Sequence, residues 1–181
     1  MLALIKMLKD NILDALNAQI GLEANSSATY LSMASWCDKE GLNGCAAFFY
    51  SQSDEERMHM LKIVHYINEM DGHAIIPAVE VPQSHFESIQ IIFHMVYDQE
   101  RSVTESINSL MSMSQKEQDH ATTVFLQWYV AEQREEEGLV RDILDKIRLI
   151  GTGPQSLYYV DKELDKINKA RATADAADVE A

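Results

Sequence analysis

The sequence predicts an all-α domain: a four-helix bundle with one long crossover, followed by a short fifth helix. The chain is 46% apolar yet has only 7 Gly and 3 Pro among 181 residues, so long stretches contain no helix-breaking residue. Apolar residues recur at spacings of three and four along four of these stretches, which is the period of an amphipathic helix. Only one connection between the four stretches is long, and this pattern is typical of a bundle with a single crossover.

The first two predicted helices run from about residue 4 to 38 and from about 45 to 71. A turn at Gly41–Gly44 separates them, and Gly72 ends the second. Because this turn is short, the two helices should pack as antiparallel neighbours. Their inward-facing stripes are Ile12, Leu16, Ile20, Glu23, Ser27, Tyr30 and Ala34 in the first, and Phe49, Gln52, Glu56, His59, Ile63, Tyr66 and Met70 in the second.

The third and fourth predicted helices run from about residue 85 to 113 and from 115 to 150. Each opens with a capping box, a serine followed three residues later by a glutamate: Ser84 with Glu87, and Ser114 with Glu117. The turn between them is again short, so they should be antiparallel. Their stripes are Phe86, Ile89, Phe93, Val96, Glu100, Val103, Ile107 and Leu110, and Leu126, Tyr129, Gln133, Glu136, Val140, Ile143, Ile147 and Ile150.

A short fifth helix is predicted at about residues 156–169, after the helix-breaking segment Gly151–Pro154. The domain then spans residues 1–170. Residues 171–181 are rich in Ala and Asp, and we expect them to be a disordered tail.

The crossover, Gly72–Gln83, joins the second and third helices. Its 12 residues include Pro77 and Pro82, which favour extended chain. Extended chain of this length reaches ~40 Å at ~3.3 Å per residue, and the second helix is also ~40 Å long at ~1.5 Å per residue. The crossover can therefore run the length of the bundle, which makes the second and third helices parallel.

Charge and composition exclude several classes of function. With 15 Lys and Arg against 29 Asp and Glu, the net charge is −14, so neither nucleic acid nor an anionic membrane is an expected partner. No run approaches the ~18 apolar residues of a membrane span. The first residues are too short and too polar for a secretory signal. Cys37 and Cys45 are expected to be free thiols, which predicts a cytoplasmic location and leaves open whether an organelle-targeting peptide has been removed.

Polar residues interrupt all four stripes near the helix midpoints, which fall close to residues 21, 58, 99 and 133. A carboxylate in a core is unfavourable unless it is paired or binds a metal, and acidic residues at one depth of a four-helix core are typical of a carboxylate-bridged di-metal site. The candidate metal ligands are one histidine and several acidic or amide side chains: Glu23, Glu56, His59, Glu100, Gln133 and Glu136.

The spacing suggests how the metals would be shared. Glu56 and His59 lie three residues apart on one helix face, and Glu23 on the neighbouring helix could complete the first position. Glu56 could bridge to a second metal held by Glu100 and Glu136, with Gln133 nearby. Oxygen-rich ligation with one histidine suits iron or manganese better than zinc. A single Glu-x-x-His spacing is common on surface helices, but four interruptions at matched depth are not.

Two further features have competing interpretations. Tyr30, two turns after Glu23, is either a core tyrosine with a satisfied hydroxyl or a redox-active residue beside the metals. The acidic residues Glu55, Glu132 and Glu135 are either a solvated helix face or an outer cluster that receives iron leaving the di-metal site.

Several motifs of this chain together carry a family resemblance. They are Leu22-Glu23 with Ser26-Ser27 and Tyr30, Ala34–Cys37, Asp54–His59, Phe125–Val130 with Glu132-Gln133 and Glu135–Glu137, and Leu157–Tyr159 before Asp161–Leu164. From Leu8 to about Asn168 the chain resembles bacterial-type non-haem ferritins of the ferritin-like superfamily. The resemblance implies a shell of 24 subunits that oxidises Fe(II) with O₂ or H₂O₂ at an intra-subunit di-iron ferroxidase centre and stores Fe(III) as a mineral.

The motif match assigns residues to the iron sites. Glu23, Glu56 and His59 resemble the first iron site, and Glu56, Glu100 and Glu136 the second, with Gln133 beside it. Glu55, Glu132 and Glu135 resemble a third, accessory site. The fifth helix resembles the one near the fourfold axes of the shell. Ala24-Asn25 departs from the family, where a bulkier residue often follows the first ligand.

Two related families and two other functions are alternatives to this assignment. A haem-binding bacterioferritin would have methionine where Arg57 stands and histidine where Leu139 stands, so no haem is expected. A rubrerythrin would have Cys-x-x-Cys pairs. The other functions are a di-iron oxidase acting on an organic substrate, and a structural or mineral-nucleating cage subunit without a catalytic centre. The complete ligand set argues against the second.

Overall fold

The protein is described here by a computed structural model, which covers residues 7–153 and 155–179, without the side chains of 175–179. The described residues form five α-helices and no strand, which confirms the predicted all-α class. None of these helices is both long enough and apolar enough to cross a membrane. The helices are α1 (Asp10–Lys39), α2 (Asn43–Glu69), α3 (Ile89–Lys116), α4 (His120–Ile150) and α5 (Ser156–Val179).

The starts of three helices differ from the sequence prediction. Helix α1 begins at Asp10, after residues 7–9, and its predicted start near residue 4 lies outside the described residues. Helix α3 is capped by Ser88, whose hydroxyl accepts a hydrogen bond from the Ile91 amide at 3.2 Å. Helix α4 is capped by Asp119, which accepts from the Thr122 amide at 3.0 Å.

Both predicted capping boxes are therefore wrong. The segment around Ser84 and Glu87 still belongs to the crossover, and the helix starts only where Ser88 can reach a free amide three residues on. Ser114 is buried inside α3, where its hydroxyl donates to the Met111 carbonyl at 2.9 Å. The chain reverses later, at Gln118, which has a φ of 56°.

The crossover lies along α1 for most of that helix. Asn17 accepts a hydrogen bond from the Ile75 amide at 2.7 Å, and Asn25 accepts from the Glu80 amide at 2.9 Å. Further along, the Ser32 hydroxyl donates to the Gln83 carbonyl at 2.7 Å. The crossover thus follows the direction of α1, which is antiparallel to α2, and delivers the chain to the start of α3 at the far end of the bundle.

The interior consists of two apolar cores separated by a polar layer. The first core contains Tyr30, Phe49 and Phe93, and the second contains Leu16, Ile63, Val103 and Tyr129. On each of the four long helices the residues of one core precede the polar layer and those of the other follow it. The layer consists of Glu23, Glu56, His59, Glu100, Gln133 and Glu136, all buried.

Helix α5 folds back against α2 and α4. The Cys45 amide donates to Asp161 Oδ1 at 3.0 Å, and the Lys146 ammonium donates to Glu163 Oε1 at 2.6 Å. The approach to α2 is so close at Gly44 that an added Cβ would lie 2.1 Å from the Asp161 carbonyl oxygen. Only glycine leaves room for this contact.

Helix α5 continues through Val179 instead of ending near residue 169. Residues 171–179, predicted as a disordered tail, are therefore helical, and residues 180–181 lie outside the described part. The physical reason is that the segment is rich in alanine, the strongest helix former, and that Arg171 bonds to the bundle.

Candidate metal centre

The six polar residues predicted from the stripes lie together in the buried layer at mid-bundle. Their relative exposures are 0% for Glu23, 1% for Glu100, 3% for Gln133, 4% for Glu56 and Glu136, and 5% for His59. Each long helix contributes at least one of them, because antiparallel helices of similar length bring their midpoints to one level. This burial leaves little water to solvate the carboxylates.

Glu23, Glu56 and His59 form a compact set of possible metal ligands. One ligand atom from each lies within 4.8 Å of the other two, and His59 Nδ1 is 3.5 Å from Glu56 Oε2. The Oε2 atoms of both Glu23 and Glu56 are buried and accept no hydrogen bond from the part of the chain that the structure describes. Such oxygens are unfavourable unless they meet a cation, and the donor set fits a first-row divalent metal.

A hydrogen-bonded relay orients Glu23. Gln19 Nε2 donates to Glu23 Oε1 at 2.9 Å, and the Ser106 hydroxyl of α3 donates to Gln19 Oε1 at 2.5 Å. The relay engages Oε1 of Glu23 and leaves Oε2 as the oxygen more available to a metal. Sequence reasoning missed Gln19 and Ser106, although Gln19 stands four residues before Glu23 and so shares its helix face.

Glu100 is bonded through both of its carboxylate oxygens. The Tyr30 hydroxyl donates to Oε1 in a short hydrogen bond, and Gln133 Nε2 donates to Oε2 at 3.1 Å. Burial raises the pKa of Tyr30 well above its ordinary value, and the negative charge of Glu100 raises it further. Tyr30 therefore stays protonated and holds Glu100 in place. The Tyr30 hydroxyl thus has a hydrogen-bond partner, as in the interpretation of Tyr30 as a core tyrosine, and this partner is a predicted metal ligand.

Glu136 and Glu55 share a cation from α5. Arg171 Nη2 donates to Glu136 Oε1 at 2.8 Å and to both carboxylate oxygens of Glu55 at 3.0 Å. Glu136 Oε2 has no hydrogen-bond partner among the described residues. Sequence reasoning missed Arg171 because it lies in the segment predicted as a tail.

Of the three predicted accessory residues, two lie in the same groove and the third does not. Glu55 and Glu132 line one groove of about 800 Å³, together with His59 and Trp128. Glu135 does not line the groove: its side chain is 68% exposed, and Arg134 Nη2 lies 3.6 Å from Glu135 Oε1. The accessory iron position stays a prediction.

Burial dominates the electrostatics of the layer. It raises the pKa of Glu23 and Glu56 well above the ordinary carboxylate value, with additional repulsion from neighbouring carboxylates. It also raises the pKa of Glu100 to about 7, although the hydrogen bond from Tyr30 acts in the opposite direction. The metal-free layer therefore retains protons near neutral pH, and a bound cation would displace them.

These pKa shifts predict that the metal-free protein loses stability as the pH rises from 5 to 8. A folded-state pKa above the unfolded value stabilises the folded state fully below the unfolded pKa, near 4.5, and this stabilisation is lost as the pH rises through the folded value. For Glu100 that value is about 7. Urea unfolding of chelator-treated protein should give a lower free energy of unfolding at pH 8, and Glu100→Gln should reduce the difference by roughly 1–3 kcal/mol.

Glu117→Gln is the matched control. Hydrogen bonds from Lys9 and Asn11 lower the pKa of this exposed carboxylate, so it titrates below the tested range. An unchanged pH dependence in Glu100→Gln would contradict the assignment of a raised pKa to Glu100.

Comparisons with known proteins agree with this geometry. The profile of the family described as ferritin-like domain matches residues 13–150. The bacterial non-haem ferritin of Campylobacter jejuni is 40% identical over 165 residues, covering 91% of this chain and 99% of the relative. That of Staphylococcus aureus is 39% identical over 158 residues, covering 87% and 95%.

Solved structures give the same result. A crystal structure of an open-pore ferritin from the hyperthermophilic archaeon Archaeoglobus fulgidus superposes with a TM-score of 0.86 at 42% identity, covering 89% of this chain and 98% of that one. The profile match ends at residue 150, so α5 and Arg171 lie outside it.

Proposed function

The chain belongs to the ferritin family, and from this premise we propose that it is an iron-storage ferroxidase. It oxidises Fe(II) at a di-iron centre within each subunit and stores Fe(III) as a mineral inside a protein cage. The observation that carries the proposal is the buried set of Glu23, Glu56 and His59, whose ligand atoms lie within 4.8 Å of one another. The Oε2 atoms of the two glutamates accept no hydrogen bond from the described residues.

The ligands of the two irons are assigned by position. The first Fe(II) is bound by Glu23, Glu56 and His59. The second is bound by Glu56, Glu100 and Glu136, with Gln133 beside it. The hydrogen bonds to Glu100 from Tyr30 and Gln133 support this assignment, because they fix the carboxylate before iron arrives.

Oxidation takes one electron from each of two Fe(II) ions. With O₂ and two protons the products are two Fe(III) and H₂O₂; with H₂O₂ and two protons they are two Fe(III) and two waters. The protein provides geometry and charge, and the iron supplies the redox chemistry. Deprotonation of Glu23, Glu56 and Glu100 on iron binding releases protons close to the reacting oxygen species.

Beyond the di-iron centre, we propose a third iron position formed by Glu55, Glu132 and Glu135 on the way to the cavity. The subunit assembles as a homo-oligomer, a 24-subunit cage, without haem. A reducing, cytoplasmic location fits the free thiols of Cys37 and Cys45.

Aerobic addition of Fe(II) tests the proposal. Chelator-treated protein given excess Fe(II) should oxidise about two irons per chain in a fast phase and then keep far more than two Fe(III) per chain in solution. Buffer without protein should form a precipitate. Oxidation that stops at two irons per chain, with nothing stored, would contradict the storage function.

Particle size separates the alternatives. A native mass near 24 times the 20.5 kDa subunit supports a storage cage, whereas a monomer or dimer would support a di-iron oxidase of an organic substrate. A cage of the right size without fast iron oxidation would indicate a structural subunit.

A further inference from the structure

We propose that Arg171 is an internal counter-cation that competes with metal for the carboxylates of Glu55 and Glu136. In the metal-free protein its guanidinium group bonds to three of the four carboxylate oxygens of these side chains, and a metal must displace it to bind those three. The inference rests on the proposed function, because it takes both glutamates to be metal ligands. It concerns a part of the chain that the ferritin-like profile does not match.

The contact has the geometry of a strong, shielded ion pair. One nitrogen, Nη2, lies 2.8 Å from Glu136 Oε1 and 3.0 Å from each carboxylate oxygen of Glu55. The side chains are 26% exposed for Arg171, 19% for Glu55 and 5% for Glu136. Charge-assisted hydrogen bonds of this kind are about twice as strong as neutral ones, and shielding from water limits screening by salt.

The docking of α5 determines where Arg171 arrives. Asp161 accepts a hydrogen bond from the Cys45 amide, and ten residues further along each helix Arg171 meets Glu55. Because the two contacts are ten residues apart on both helices, and each helix rises ~1.5 Å per residue, α5 runs parallel to α2. The ion pair of Lys146 and Glu163 fixes α5 to α4 at 2.6 Å. Arg171 thus joins carboxylates of α2 and α4 from a third helix.

Electrostatics sets the direction of the effect. A divalent metal that binds Glu55 and Glu136 would find three of their four carboxylate oxygens already bonded to Arg171. It would also be repelled by the positive charge of the guanidinium group. Removing that charge should strengthen metal binding at this end of the centre. When Arg171 bonds to Glu55 and Glu136 again, it would also weaken the binding of Fe(III) to these carboxylates.

Zinc titration calorimetry tests the proposal without oxidation. Chelator-treated parent protein, Arg171→Ala and Arg171→Lys would each be titrated with Zn(II). In Arg171→Ala the weakest of the Zn(II) sites should bind Zn(II) at least tenfold more tightly, or one additional Zn(II) should bind per chain. Arg171→Lys keeps the charge and should remain close to the parent. Lys169→Ala is the matched control, since this α5 lysine is 74% exposed and pairs with Asp165.

Two outcomes would be decisive against the proposal. Equal zinc affinities and stoichiometries in the parent and in Arg171→Ala, with both binding Zn(II), would overturn the competition by Arg171 and leave the di-metal centre standing. Absence of zinc binding in every variant would overturn the metal centre itself, and the inference with it. Circular dichroism at 222 nm would establish that Arg171→Ala keeps its helices.

Discussion

Replacing Glu56 by alanine should abolish the fast phase of Fe(II) oxidation, slowing it at least a hundredfold. Glu56 is the one carboxylate assigned to both irons, and it lies in the polar layer, 3.5 Å from His59 Nδ1. Its removal leaves the first iron with two ligands and the second without a bridge. Stopped-flow absorbance at two Fe(II) per subunit measures the effect. His59→Ala should weaken only the first position and so slow the reaction less.

The same substitution should leave the metal-free fold intact or stabilise it. Glu56 Oε2 is buried and accepts no hydrogen bond from the described residues. Removing this buried carboxyl group relieves its desolvation penalty and the repulsion between it and Glu100. Urea unfolding of the chelator-treated variant should show a free energy of unfolding no lower than that of the parent. Oxidation of iron at the parental rate would show that Glu56 does not bridge the metals.

Gly44→Ala should destabilise the protein by about 1–3 kcal/mol, the range typical of overpacking. The new Cβ would lie 2.1 Å from the Asp161 carbonyl oxygen and 2.9 Å from Asp165 Cβ. Since the carbonyl belongs to the α5 backbone, no side-chain rotation can relieve the clash, and α5 must shift or undock. Thermal unfolding measures the loss, and limited proteolysis of α5 should become faster.

Gly138→Ala is the control for helix propensity. Gly138 lies inside α4, and the nearest atom to an added Cβ is the Arg141 guanidinium at 4.0 Å. Without a clash, alanine should stabilise the helix by about 0.5–1 kcal/mol. Gly44→Ala as stable as the parent would show that α5 does not rest on α2 as closely as described.

The four long helices and the polar layer could be predicted from sequence because both depend on local periodicity. Apolar residues spaced three and four apart must face one interior. The connection lengths then bring the midpoints of the four helices to one level, and these midpoints carry Glu23, Glu56, Glu100 and Glu136. The metal-binding chemistry follows from the residue types, since buried carboxylates need compensation.

The parts that sequence reasoning missed depend on tertiary contacts. A serine followed by a glutamate satisfies the capping-box pattern at Ser114, yet burial places that serine inside α3. The position of α5 and the contacts of Arg171 depend on docking against Gly44, which no local pattern reports. Gln19 could have been found by its spacing from Glu23, but its partner Ser106 comes from another helix.

The polar layer that separates the two apolar cores also bears on how the molecule unfolds. Each core draws on all four long helices, so each half of the bundle has its own hydrophobic stabilisation, and the carboxylates between them repel one another. A metal-free subunit is therefore expected to open its two halves as partly independent cooperative units. Iron bound at the layer joins the halves, so the cargo itself would make the fold behave as a single unit.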